Sequence, residues 1–120
     1  MTLNDLGAEI YQNAVDKGFY EQIHTILAKL NPEEVTFVKN LWMSNRLMLI
    51  TSELAEGLEG IRAGNLSAEP KSGGLGEELA DAAIRLFDMF IDCGINPDEA
   101  IRAKMNFNKN RLKKHGNKAL

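Results

Sequence analysis

Two pairs of carboxylates, Glu53-x-x-Glu56 and Glu78-x-x-Asp81, are the residues here whose types and spacing could do chemistry. On a helix, side chains three residues apart are neighbours, with Cβ atoms about 5–6 Å apart. Two such helices packed antiparallel would converge four carboxylates, a cluster that repels itself unless a cation joins it. Hard divalent ions take oxygen ligands, and Mg2+ in particular is held by a few carboxylates, waters and a substrate's phosphates. The pairs point to phosphate-ester chemistry assisted by Mg2+, or by Mn2+ in its place.

The elements that must position these acids are all helical. The spacing predicts a first helix over about 4–17, broken near Gly18, and a second, bent segment over 19–30. Asn31-Pro32-Glu33-Glu34 is a helix start: an Asn cap, Pro at the first helical position and Glu at the capping-box position. Asn96-Pro97-Asp98-Glu99 repeats the device. A long helix is expected from Pro32 to about Arg62, another over about 76–93 with Gly94 as its stop, and a last one from Pro97 to about Lys113. The glycine- and serine-bearing segment 63–74 reads as a mobile loop. The fold class is all-α, a bundle of four to five helices in a single domain over 1–120, with a basic tail at about 113–120.

Advancing about 100° per residue, Val35, Val38, Trp42 and Leu49 form an apolar stripe that Glu53 and Glu56 continue, so these acids fall where a core belongs. Burying an uncompensated carboxylate is costly, and a metal would explain them; an exposed end of an amphipathic helix is the plainer alternative. Met43, Leu47, Leu54, Leu58 and Ile61 make a second stripe, which gives this helix more than one partner. Gly57 and Gly60 cost about 1 kcal/mol each in helix propensity and leave room for a ligand. On the next helix Leu79, Ala83, Leu86, Phe87 and Phe90 define an apolar face. Glu78, Asp81, Arg85, Asp88 and Asp92 gather opposite, as a solvated face does, and the helix dipole favours acids in the first turn whatever the metal.

On the last helix Lys104, Asn108, Arg111 and His115 share one face, a row of donors suited to a polyphosphate, with a merely solvated basic face as the alternative. Ile101, Met105 and Leu112 would dock this helix on the bundle. Trp42 and Asn45 lie on the same side as Glu53, about a nucleotide's length away at roughly 1.5 Å per residue. Trp42 could stack on a base, or simply fill the core. Phe19, Tyr20 and His24 could close such a pocket.

Several sharper motifs fail. Lys71-Ser72 follows Pro70, with no strand leading in, so Gly73-Gly74-Leu75-Gly76 is not a P-loop. Glu21-x-x-His24 is half of a di-iron motif that needs two such elements. Cys93, the single cysteine, excludes an intrachain disulfide and a thiolate metal cluster; a small hydrophobe near a helix end is its expected role.

The 120 residues suffice for one core, and 44% hydrophobic with 26% charged residues suits a soluble globular chain. No apolar run approaches the roughly 20 residues of a membrane span, and the first residues lack a signal-peptide pattern, so a cytoplasmic protein is expected. All 17 acids and 7 of the 14 bases lie in residues 1–100, a net −10, while residues 101–120 carry the other 7 bases and no acid, +7. With Phe107 as its lone aromatic, this basic end suits a solvated tail or a phosphate grip better than nucleic acid.

These residues resemble the MazG-like, all-α nucleoside triphosphate pyrophosphohydrolases. The resemblance rests on Ser52-Glu53-Leu54-Ala55-Glu56-Gly57-Leu58-Glu59, on Glu77-Glu78-Leu79-Ala80-Asp81, and on the Lys104…Asn108…Arg111…His115-Gly116 ending. Asn13-Ala14-Val15-Asp16-Lys17-Gly18-Phe19-Tyr20 is also similar to a segment of many members, with Tyr20 where Trp is frequent. The resemblance implies hydrolysis of a nucleoside triphosphate to the monophosphate and pyrophosphate in a homodimer or homotetramer. Glu53, Glu56, Glu78 and Asp81 would hold Mg2+, Glu56 doubling as the base toward water, and Lys104, Asn108 and Arg111 would grip the phosphates. A non-catalytic helical dimerisation module is the competing expectation.

Overall fold

The computed structural model describes residues 1–111, which form five helices and, among the described residues, no strand: α1 Leu3–Asp16, α2 Glu21–Leu27, α3 Pro32–Arg62, α4 Leu75–Asp92 and α5 Pro97–Lys109. No helix among them is long and apolar enough to cross a membrane. His115, Leu112 and the 113–120 tail lie outside the described residues.

Local chemistry sets the helix starts. Asn31 and Glu34 form a reciprocal capping box, each side chain accepting from the other's backbone N–H at 2.9 and 3.0 Å. Thr2 and Asp5 do the same for α1, a box that the sequence reading passed over. At α5 only half the device is present: Asn96 accepts from the N–H of Glu99 at 3.1 Å. Such caps are worth about 1 kcal/mol.

α4 starts differently, because its N-cap is Gly74 and has no side chain to offer. The 63–74 loop supplies the acceptors instead: the N–H of Leu75 donates to the carbonyl of Asn65 and that of Glu77 to the carbonyl of Ser67, both at 3.0 Å. Glu77 reaches back to accept from the N–H groups of Gly73, at 2.8 Å, and Lys71. Lys71 sits at φ 69°, a left-handed backbone that this carboxylate helps to hold. Expected to be mobile, the loop is in this structure fastened to α4 along most of its length.

α3 and α4 run antiparallel along a shared seam. Gly60 faces Leu75, Gly57 faces Glu78, Glu53 meets Arg85, Arg46 meets Asp88 and Asp92, and Met43 meets Cys93. The glycines set how closely the helices approach. A Cβ on Gly60 would lie 2.9 Å from the backbone N of Leu75, and one on Gly57 would lie 3.3 Å from a Leu75 methyl. The space expected for a ligand beside these glycines is thus taken by α4 and its loop. α1 packs on α4, with Gly7 against Ile91 and Pro97, and α5 packs on α1 and α4.

The α4 face assignment also needs correcting. Its acidic side, read as solvated, is the side that packs on α3: Glu78 and Ala82 are buried, and the Asp88 and Asp92 side chains are 15% and 20% exposed. Leu79 and Leu86, assigned to the inner face, are 51% and 44% exposed. A helical wheel locates two faces but cannot say which one a polar partner will cover. On α3 the buried line is Arg46, Ile50, Gly57 and Gly60, with Glu53 half-buried on it, and the second stripe of Leu47, Leu54, Leu58 and Ile61 is about half exposed.

Candidate functional site

The α3–α4 seam brings three of the four nominated carboxylates together. Glu53, Glu78 and Asp81 each offer an oxygen within 4.8 Å of the others'. Their spacing follows from the register: Glu53 is the half-buried residue between buried Ile50 and Gly57 on α3, while Glu78 and Asp81 occupy one face of α4's first two turns. Glu56 is exposed and stands outside the trio, though its carboxylate lies close enough to Glu78 to influence it. The first pair is split because Glu56 lies about 60° round α3 from Glu53, on the side of Asn45 and Leu49.

Glu78 is the most constrained member. It is 6% exposed, and its Oε2 is buried without a hydrogen-bond partner among the described residues. Burial first, then the neighbouring carboxylates of Glu56 and Glu53, push its pKa up from 4.5 to about 7. Asp81 is likewise raised by burial and then by the Glu53 charge, with Arg85 pulling the other way. Arg85 donates from Nε to Glu53 Oε1 at 3.0 Å, the cation that touches the cluster.

An orphaned buried carboxylate oxygen facing two more carboxylates is a donor set fit for a hard divalent ion. All the side-chain donors are oxygens, and Arg85 alone does not balance them. Glu53, Glu78 and Asp81 are the residues that could hold such an ion, with Glu56 at the rim.

Beside the cluster opens a cavity of about 550 Å³, within the range of small-molecule sites. Glu53, Asp81 and Arg85 form one end, and Trp42, Asn45, Phe19 and Tyr20 the other, with Asn13 and Ile10 of α1 along the side. Trp42 and Asn45 therefore share one cavity with the carboxylates. A second cavity of about 460 Å³, beside Tyr20 and Trp42, is lined by His24, Lys39, Asp92 and Cys93 and does not reach Glu53, Glu78 or Asp81. Cys93 caps α4 with its Sγ 3.6 Å from Met43 Sδ, half-buried as a small hydrophobe would be.

The cavity floor is a network that the sequence reading missed. Arg46, only 9% exposed, donates through Nη1 to Tyr20 Oη at 2.5 Å and to Asp92 at 3.2 Å, and through Nη2 to Asp88. Tyr20 Oη in turn donates to Asp88 Oδ1 at 2.9 Å, and burial pushes its phenol pKa well up. The guanidinium also lies 5.2 Å from the Tyr20 ring centre and 5.5 Å from that of Trp42, close enough for cation–π attraction. The signal was available: Arg46 is four residues from Trp42 and seven from Glu53, so it lies on their stripe.

Lys104, Asn108 and Arg111 do not line this cavity. They are exposed on and just beyond α5, where Lys104 Nζ and the Arg111 guanidinium flank the Phe107 ring at 4.7 and 5.8 Å. Searches against family models, curated proteins and solved structures found no match to this chain.

Proposed function

We propose that the chain is a Mg2+-dependent nucleoside triphosphate pyrophosphohydrolase, cutting NTP or dNTP to the monophosphate and pyrophosphate. One observation carries the reading: a nine-tenths-buried Glu78, its Oε2 without a hydrogen-bond partner among the described residues, lies beside Glu53 and Asp81, and these two line one end of a nucleotide-sized cavity whose other end is aromatic. The sequence resemblance supplies the reaction.

Glu53, Glu78 and Asp81 would hold the metal. The chemistry such an ion, Mg2+ or Mn2+, would supply there is acidification of water and neutralisation of charge on the leaving pyrophosphate. Glu56, exposed at the rim, would be the base that takes a proton from the attacking water. Trp42, backed by Arg46 and Tyr20, offers a stiff face for a base, and Asn45 offers an amide to its edge. Arg85 is the cation nearest the expected position of the phosphates.

A homodimer or homotetramer belongs to this reading. Leu47, Leu54, Leu58 and Ile61 of α3 are about half exposed, and the radius of gyration of 17.4 Å exceeds the about 14 Å of a compact chain of this length. The same exposed stripe favours a second reading, a non-catalytic dimerisation module. A cytoplasmic setting is part of the proposal, with a nucleotide as partner in preference to nucleic acid.

Pyrophosphate release from a panel of NTPs and dNTPs with Mg2+ separates the two. The enzyme reading expects release that Asp81→Asn or Glu53→Gln lowers at least about 100-fold, a barrier change of about 2.7 kcal/mol. Absence of release from every nucleotide would leave the module.

A further inference from the structure

We propose that Arg85 is an internal stand-in cation: it engages Glu53 while the carboxylate cluster lacks a metal, and shifts to the substrate's phosphates when a divalent ion takes its place. The inference rests on the metal-dependent reading above and assigns that reading's missing phosphate contact to a residue inside the cavity.

Two arginines cross the α3–α4 seam, and their surroundings differ. Arg46 is fully engaged, with both terminal nitrogens committed to Tyr20, Asp88 and Asp92 and a side chain 10% exposed. Arg85 is held by one bond, Nε to Glu53, and its side chain is 42% exposed. Among the described residues its terminal nitrogens have no protein acceptor. It also lines the cavity next to Asp81, so releasing Glu53 would leave it facing the same space. Glu53 is the more buried partner, 13% exposed, and stays put while the arginine is free to turn.

An arginine fork suits a phosphate's paired oxygens better than a single carboxylate contact through Nε does. The charge count fits an exchange as well. Glu53, Glu78 and Asp81 exceed one guanidinium, so a divalent ion outcompetes it, while the phosphates bring the negative charge that Arg85 would then need.

Calorimetric titration of the full chain with Mn2+ alone, without nucleotide, tests the exchange. Arg85→Gln removes the competitor and should bind Mn2+ about three- to ten-fold more tightly than wild type, with Arg85→Lys close to wild type. A non-hydrolysable dNTP analogue at saturating Mn2+ should then bind Arg85→Gln about ten-fold more weakly. Equal or weaker Mn2+ binding by Arg85→Gln, with helicity unchanged by circular dichroism, overturns the proposal, as does unchanged analogue binding. If wild type binds no Mn2+, or binds it undiminished in Glu78→Gln, the metal reading fails as well. The two failures are therefore distinguishable.

Discussion

The two ends of the α3–α4 seam each bury acids of α4 against α3, and they treat those acids in opposite ways. Toward the C-terminal end of α4, Asp88 and Asp92 meet Arg46 and the Tyr20 hydroxyl, so every contact there is between a donor and an acceptor. At the N-terminal end, Glu78 and Asp81 meet Glu53 instead, with Arg85 on one edge. The dipole of α4 favours anions in its first turn by about 0.3–1 kcal/mol. That is too little to prevail, since Glu78 remains raised to about 7. One end is balanced within the chain, and at the other the carboxylates outnumber the single guanidinium that touches them, which is where we propose that a divalent ion binds.

Removing Arg46 should break the contrast most severely. Arg46→Met takes the counter-charge from two largely buried carboxylates, leaving Asp88 with only the Tyr20 hydroxyl, and is expected to cost about 3 kcal/mol or more of stability, read from urea denaturation. Glu78→Gln, at the other end, relieves repulsion and should leave the metal-free protein as stable or more so. Comparable losses in both variants would dissolve the distinction.

Helix approach is the next lever. Gly60→Ala drives a Cβ into the backbone of Leu75 and Asn65, for an expected net loss of about 1–2 kcal/mol after the gain in helix propensity. Gly57→Ala meets the tip of Leu75 and, at ordinary contact distance, Glu78 Cβ, and should be near neutral. Thermal melts of the pair measure the difference, and equal melts would mean that the glycines do not set the seam.

The gentlest test is titration. In chelator, folded Glu78 keeps its proton up to about 7 whereas the unfolded carboxyl loses it near 4.5. Between those values the folded state binds more protons, so this contribution is complete below about pH 4.5 and fades as pH climbs through 7. The raised Asp81 acts in the same direction. The melting temperature of wild type relative to Glu78→Gln should accordingly fall from pH 5 to pH 8, and saturating Mg2+ should remove the slope. A difference that stays flat, or rises with pH, argues against a strained carboxylate.

Much of this was legible in the sequence. Asn31-Pro32 and Asn96-Pro97 fixed the starts of α3 and α5, because caps act within a few residues. Spacing nominates four carboxylates, Glu53, Glu56, Glu78 and Asp81, and the structure gathers three of them, Glu53, Glu78 and Asp81. The orientation of α4 was not legible: Asp88 and Asp92 resemble a solvated face until Arg46, on another helix, is known to point at them. Gly57 and Gly60 were misread for a related reason, as a missing side chain says that something approaches, not what. Lys104 and Asn108 share a face of α5, but that helix ends at Lys109, earlier than the expected Lys113, so Arg111 lies beyond it, and nothing in their spacing says where that face points.

The fastening of α4 by the 63–74 loop carries one more consequence. Backbone groups of Asn65 and Ser67 set the starting angle of α4, and each helical residue turns about 100°. Deleting a single loop residue between those anchors and Leu75 would either tear the clasp or swing Glu78 out of the seam. A designer transplanting the acid trio onto another hairpin of helices would have to transplant the connecting segment with it, at its original length.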